Sequence, residues 1–468
     1  MWVLETAGLV PHNEHYVKCI EDVAATGQAP PKTWPNFFAR ENATKDFIVW
    51  AGHGHAVHFP LTTFSRLVEA SPRHLWGFEF AELEGVDEHM AEVVQEILLP
   101  LAELCRARGK KILFRNKNVY WNATCYVPFL RAVLLDPMYR DVFVPALEET
   151  NCRTQELSLA GRVGLWQAGT FDSWAARVVT DEANWDRMWE WGGQQVPTHH
   201  LRHLVSRAAL GSDVFMIDVH QGPFTAAVYA KLRPFYDLIN RGAITIPARD
   251  ELLSLNATAV GMREPAPDFL AHGINGHSYR FPTDTHPELV FDRLDGYWGG
   301  APLAAHDAAG VLYGSTRRQL NFLPTGENGL VPIVPADAAH GAGHRFQRLL
   351  LTDGRYWYDE AQTRMPPAAF LPTVAAAVKE GGSALPVRVT GVHWSASRID
   401  ATHIRVVLVD PSYLEPLDHE AKVTLQGIKA RHVADLLTGE SLPVENERLT
   451  VNVPAGLFRI LEITLAGP

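Results

Sequence analysis

Four carboxylates stand where they could do acid–base work. Glu79 and Glu82 lie at and just past the end of an apolar run, in Trp76-Gly-Phe-Glu-Phe-Ala-Glu82. Asp218 closes another, Val214-Phe-Met-Ile-Asp218. Asp172 follows a third, Arg162–Ala168, in Gly164-Leu-Trp-Gln-Ala-Gly-Thr-Phe-Asp-Ser-Trp174, ahead of Trp185, Trp189 and Trp191. A carboxylate among aromatic rings at a strand end suits cleavage of a glycosidic bond. The rings offer flat faces for pyranose stacking, a protonated carboxyl serves the leaving oxygen, and an ionised one activates water. In this reading Glu79 or Glu82 is the acid, with Trp76, Phe78 and Phe80 supplying the desolvation that keeps a carboxyl protonated. Asp218, aided by Asp172, is the base. The competing readings are structural: a buried ion pair of a glutamate with Arg115 or Lys117, a helix cap at Asp218, and inward-packing tryptophans.

Polar side chains follow nearly every apolar run. His53 and His55 sit in Gly52-His-Gly-His-Ala-Val-His58, and Arg115-Asn-Lys-Asn118 leads to Trp121. Glu149, Gln167, His220 and Arg249 occupy similar places. With Asn116, Lys117, Trp166 and Trp174 they form the expected substrate-binding set, in which imidazoles and amides bond sugar hydroxyls and rings stack. His53 and His55 also have the spacing of a metal-ligand pair, completed by His199, His200 or His220 with Asp218. The preferred reading uses no metal and no cofactor; no GxGxxG follows a strand.

These residues need a scaffold that brings strand ends together. Strands are predicted at Trp2–Glu5, Phe47–Ala51, Trp76–Ala81, Lys111–Arg115, Val142–Leu147, Val163–Ala168, Val214–Asp218 and Ile244–Pro247. Helices are predicted at Val86–Arg108, Leu201–Leu210 and Ala226–Arg241. About eight alternating units fit a (β/α)8 TIM barrel, whose site lies at the C-terminal strand ends. The barrel takes residues 1–264, a loop-rich extension packed on it takes 265–385, and alternating short strands from 386 to 468 read as a small all-β sandwich. Leu350–Asp359 reads as a hairpin turning at Asp353-Gly354.

The 468 residues are 47% hydrophobic and 20% charged, with a formal net charge of -11. Nothing there suits a nucleic-acid partner held by a basic surface. No apolar run nears the roughly 18 residues of a membrane span. The four cysteines are widely spaced and read as free thiols. No secretory signal opens the sequence, so the expected location is cytoplasmic, or secreted or periplasmic if a leader was removed.

Gly164–Trp174, then an acidic Trp-rich stretch and Leu201-Arg-His-Leu-Val-Ser-Arg-Ala-Ala-Leu-Gly211, resemble glycoside hydrolase family 98. So do Tyr313-Gly with Arg317-Arg318, Gly329-Leu-Val-Pro-Ile-Val-Pro335 and Thr352-Asp-Gly354. The resemblance implies a (β/α)8 catalytic domain with a β-sandwich and endo-acting, inverting hydrolysis of a polysaccharide or oligosaccharide. It implies an acid at Glu79 or Glu82 and a base pair of Asp172 with the carboxylate ending the seventh strand, where Asp218 replaces the expected glutamate. An acidic polysaccharide read by Arg115, Lys117 and Arg249 is one substrate class. The alternative activities are a polysaccharide lyase acting on a uronate polymer, with Tyr120 or His220 as base, and a metal-dependent amidohydrolase-like barrel.

Overall fold

The computed structural model describes residues 2–4, 46–54, 56–83, 85–116, 121, 126–147, 155–179, 198–218, 225–266, 303–304, 318–319, 323, 326–337, 346–412 and 416–466. The first half runs β1 (Trp2–Leu4), β2 (Phe47–His53), β3 (Ala56–Val57), α1 (Leu61–Ala70), β4 (Leu75–Ala81) and α2 (Glu88–Val93, carried through a π turn at Val94–Leu98 into Leu99–Arg108). There follow β5 (Lys111–Asn116), α3 (Pro128–Leu134), β6 (Phe143–Leu147), α4 (Gln155–Gln167), β7 (Ala175–Val179), α5 (Thr198–Ala209), β8 (Val214–Asp218) and α6 (Thr225–Asn240). Strands β1, β2, β4, β5 and β6 lie side by side, all parallel, and β7 pairs in parallel with β8.

Alternation along the strands builds two buried faces. Val49, Phe78, Phe80, Ile112, Phe114 and Phe143 pack with Phe64 and Leu67 of α1 and Leu101 of α2. The other face collects Ile48, Trp76, Leu113, Val144, Ala146, Ala175, Val214 and Met216, strand residues only, reaching from β2 to β8.

Two predicted strands are corrected. Val163–Ala168 lies in and just past α4, where Leu159, Ala160, Val163 and Trp166 recur at helical spacing and are all buried. The strand of that region is β7, after Trp174. Ile244–Pro247 carries no regular element. The chain is a mixed α/β protein.

Beyond these come β9 (Thr258–Met262), β10 (Leu303–Ala304), β11 (Arg318–Gln319), β12 (Ile333–Pro335), β13 (Arg348–Thr352), β14 (Trp357–Tyr358), β15 (Arg364–Met365) and α7 (Pro367–Ser383). One sheet runs β12-β9-β13-β14-β15, so strands from either side of residue 264 share a sheet. The expected hairpin is there as β13 and β14. Helix α4 docks on β12 through Gly164, where a Cβ would lie 1.9 Å from the Ile333 carbonyl oxygen.

The C-terminal part holds β16 (Val387–Thr390), β17 (His393–Arg398), β18 (His403–Val409), β19 (His419–Leu425), β20 (Ala430–Asp435), β21 (Arg448–Val453) and β22 (Phe458–Leu465). They form two antiparallel sheets, β16-β19-β21 and β17-β18-β22-β20. Val389, Val406, Val423, Val451 and Leu461 from both sheets share one core. The outer face of the four-stranded sheet packs on α5, with Val407, Val409 and Ile460 against Leu204, Val205 and Ala208. The fully buried Arg202 of α5 donates to the carbonyls of Asp410 and Ser412 at 2.8 and 2.6 Å. Burial pushes its guanidinium down to about 10, against the opposing pull of Asp410. No described helix is long and apolar enough to cross a membrane.

Candidate active site

The parallel strands present their C-terminal ends at Ala81, Asn116, Leu147, Val179 and Asp218. Register puts Trp50 beside Glu79 and Glu79 beside Leu113, which faces the strand-lined interior; one step further on, Ala81 pairs with Arg115 and Arg115 with Ala146. The interior therefore turns polar towards this rim. Arg115 Nε donates to Glu79 Oε1 at 2.9 Å, with both side chains 2% exposed. Oε2 of Glu79 is buried, with no hydrogen-bond partner among the described residues. The Arg115 guanidinium also lies 6.0 Å from the Trp50 ring. Burial, then the charge of Arg177, pulls Arg115 below its ordinary value, while Glu79 and Glu82 act in the other direction.

Glu82 starts the loop after β4. Its backbone is in the left-handed region, φ 55°, which an L-residue adopts only where its surroundings hold it there. Its N–H donates to the Arg115 carbonyl at 2.6 Å, fixing the turn on the neighbouring strand. Its side chain is 18% exposed, and Oε1 lies 3.9 Å from Nε2 of His53, the half-exposed last residue of β2. The turn after His53 uses Gly54 at φ 62°. His53 packs edge-on against Trp50 at 5.7 Å. Burial, and secondarily the charge of His53, lowers the imidazole of His58, against a backbone hydrogen bond with Trp50. Asn116, at the end of β5, is fully buried, and neither amide atom has a hydrogen-bond partner among the described residues. Such a group costs about 1–3 kcal/mol until something bonds it.

The predicted residues thus divide. His53, Glu79, Glu82, Arg115 and Asn116 come together at the C-terminal rim. Asp218 ends β8 opposite Val179 on that rim, its side chain lying outside the described atoms. His55, Lys117, Glu149 and His220 lie outside the described residues.

Asp172 is elsewhere. It precedes β7 rather than following a strand, and its N–H donates to Arg140, which precedes β6. Its neighbour Ser173 bonds Asp213, which precedes β8. Asp172 therefore stands at the N-terminal strand edge, the opposite end from Glu82. There its carboxylate accepts from Arg140 at 2.6 Å and Arg249 at 3.1 Å. Burial alone would raise its carboxyl, but the two arginines outweigh that and hold it below the ordinary range. Arg249 bonds the Trp166 carbonyl and covers its ring, and Gln167 bonds the Arg249 carbonyl, so all three belong to this end. Asp172→Asn is expected to cost about 0–1 kcal/mol, as for other exposed pairs. Activity should stay within about twofold, since no reacting group of the rim is touched; a thermal melt and a progress curve check both.

The three tryptophans expected to stack on sugar are packed inside. Trp121 is 1% exposed, donates Nε1 to the Ala146 carbonyl and lies between Phe114 and Phe171. Trp174 is fully buried under Arg162, and Trp166 is 4% exposed. Trp50 and Arg177 were missed. Trp50 shares its face with Ile48, a pattern visible in Phe47-Ile-Val-Trp50, whereas Arg177 was hidden by the misplaced strand. Among the described residues no group of three or more His, Cys, Asp or Glu could hold a metal ion.

Residues 13–360 match the family described as lambda-carrageenase middle domain, and residues 388–464 match lambda-carrageenase C-terminal domain. A lambda-carrageenase of Pseudoalteromonas carrageenovora is 30% identical over 439 residues, which cover 89% of this chain and 46% of that protein. One from Pseudoalteromonas sp gives the same figures. The chain therefore spans about half the length of the curated relatives it matches. Among solved structures, the catalytic module of a family 98 glycoside hydrolase from Streptococcus pneumoniae TIGR4, in complex with the H-disaccharide blood group antigen, superposes with a TM-score of 0.52 at 11% identity, covering 96% of this chain and 87% of that one. The fold resembles that module, as the sequence motifs implied.

Proposed function

The chain belongs to the lambda-carrageenase family, and from that footing and the rim geometry we propose that it is an endo-acting glycoside hydrolase cleaving a lambda-carrageenan-type sulfated galactan by an inverting displacement. The observation that carries the reaction type is Glu82: a partly exposed carboxyl, held in a left-handed turn at the C-terminal rim of parallel strands, over a buried Glu79–Arg115 pair. That is the rim where barrel enzymes place their chemistry. The substrate class rests on the family.

In this reading Glu82 is the general acid and Glu79 is not. Glu79 is engaged by Arg115 and sealed from solvent, so it anchors the arginine whose carbonyl fixes the Glu82 turn. Asp218, across the rim on β8, is the base that takes a proton from the attacking water. Asn116 offers a buried donor and acceptor to the sugar hydroxyls or a bridging water. Strands β1, β2 and β4 to β8 make up most of a (β/α)8 barrel. Strands β16 to β22 read as a β-sandwich domain; the family match starting at residue 388 supports a boundary near residue 386.

The test is incubation with lambda-carrageenan and an unsulfated galactan, following reducing ends, ultraviolet absorbance, product size and the anomeric proton signal. Reducing ends should rise without absorbance on the sulfated polymer, with mid-sized products and inverted anomers first. Absorbance rising with the reducing ends would replace hydrolysis by elimination. Cleavage of the unsulfated polymer alone would leave hydrolysis standing and remove the substrate class.

A further inference from the structure

We propose that His53 acts through Glu82 as a proton relay, returning to the acid the proton it gives up in each turnover. The inference rests on the reading of Glu82 as the general acid.

An inverting displacement leaves its two carboxyls in the wrong states. Glu82 gives its proton to the leaving glycosidic oxygen as the C–O bond breaks, and ends as a carboxylate. The base takes a proton from water as the new C–O bond forms, and ends protonated. Before the next turnover a proton must reach Glu82 and one must leave the base. Glu82 is poorly placed to collect it, with a side chain 18% exposed beside the buried Glu79–Arg115 pair. His53 is well placed: it is 50% exposed, sits at the tip of the β2–β3 hairpin, and directs Nε2 to within 3.9 Å of Glu82 Oε1. Protonated at Nε2, it passes that proton to the carboxylate directly or through one water, becomes neutral, and is recharged from solvent.

The groups facing this imidazole fit the task. Glu82 is its ion partner from the loop after β4, and the Trp50 ring meets it edge-on from β2. His58, beyond β3, is driven towards the neutral form, chiefly by burial, whereas His53 is the solvent-facing imidazole of the two. Arg115 of β5 interacts with Glu82 but is held by Glu79.

The relay matters most when protons are scarce. At pH 8, hydronium is about 10⁻⁸ M, so at a diffusion limit of about 10¹⁰ M⁻¹s⁻¹ it protonates any one group at about 10² s⁻¹; buffer acids are more abundant donors, and they reach the half-exposed His53 more readily than the recessed Glu82. Typical turnover spans about 1–10³ s⁻¹, so an unassisted reset can limit it. The reset follows product release. Its loss lowers kcat and leaves kcat/KM alone, because kcat/KM reports only the path from the correctly protonated enzyme to the first irreversible step.

The experiment compares wild type, His53→Ala and His53→Gln, with Glu82→Gln alongside, measuring kcat and kcat/KM from pH 5 to 9 with and without added imidazole. The expected result is a fall of about tenfold in kcat at the alkaline end, with kcat/KM within about twofold. Imidazole should restore His53→Ala in proportion to its concentration, and the loss should vanish towards pH 5. A kcat unchanged at every pH overturns the relay. So does a parallel fall in kcat and kcat/KM that imidazole does not repair, which marks a structural role. An inactive Glu82→Gln beside an unaltered His53→Ala removes the relay alone; a fully active Glu82→Gln removes the acid assignment with it.

Discussion

Glu82→Gln is expected to lower kcat/KM on the natural polymer by about 10²–10⁴, the usual contribution of a general acid. The fold should be indifferent to the change. Glutamine is isosteric and as tolerant of the left-handed turn, and the hydrogen bond that fixes the turn comes from the residue's own N–H to Arg115. The side chain is partly exposed, the histidine 3.9 Å away is half-exposed, and Arg115 keeps its own bond to Glu79, so the expected loss of stability is small. The acid's role can be separated from a binding role by changing the leaving group. An aryl oligosaccharide, whose phenolate departs without a proton, should be cleaved by the variant at close to the wild-type rate, with a flattened alkaline limb. Full activity on the polymer, or an equal loss on both substrates, would remove Glu82 from the acid's place.

The choice between Glu79 and Glu82 could not be made from sequence. Both lie in one apolar stretch, and alternation alone puts them on opposite faces. Structure separates them by partner: Glu79 meets Arg115 diagonally, two residues beyond its register partner Leu113 on β5, and Glu82 lies beyond the last strand residue, where the chain turns. The register was unreadable because β2 carries irregularities between Phe47 and Ile48 and between Trp50 and Gly52, which reset what lies opposite Glu79.

Most parallel strands were legible because each is a short apolar run bounded by polar turns. Val214–Asp218 was placed to the residue, and Lys111–Arg115 within one. The failure at Arg162–Ala168 has a definite cause. A short apolar run does not distinguish a buried strand from the inner face of a buried helix. Extending the window back to Gln155 shows Leu159, Ala160, Val163 and Trp166 at helical spacing, and the β-branched pair Val178-Val179 marks the real strand. The slip carried Asp172 from one end of the sheet to the other, and Trp166 and Gln167 went with it; Arg249 was carried by the separate strand expected at Ile244–Pro247, which is not there. The tryptophans misled for a related reason. A large ring suits a sugar platform and a core equally well, and here Trp121, Trp166 and Trp174 are core. The alternating C-terminal strands were easier, because both sheets bury one face against the other.

The second large effect concerns the pair beneath the acid. Arg115→Met should destabilise the N-terminal part by about 3–5 kcal/mol, because it leaves the Glu79 carboxylate buried without a partner. That corresponds to a fall on the order of 10 °C in its melting temperature. Thermal melts of wild type and variant read the deficit. The double variant Arg115→Met with Glu79→Leu removes both charges and should recover most of the loss, giving a coupling energy of the same order as the single deficit. Activity then distinguishes two uses of the pair. In the structure it holds a guanidinium against the Trp50 ring, and Arg115 keeps its backbone bond to Glu82 whatever its side chain. If the charges serve only packing, the double variant should regain activity with its stability. If the cation helps bind or orient the polymer beside Trp50, the double variant should fold like wild type while KM stays raised at high and low salt alike, because a site this buried is little screened.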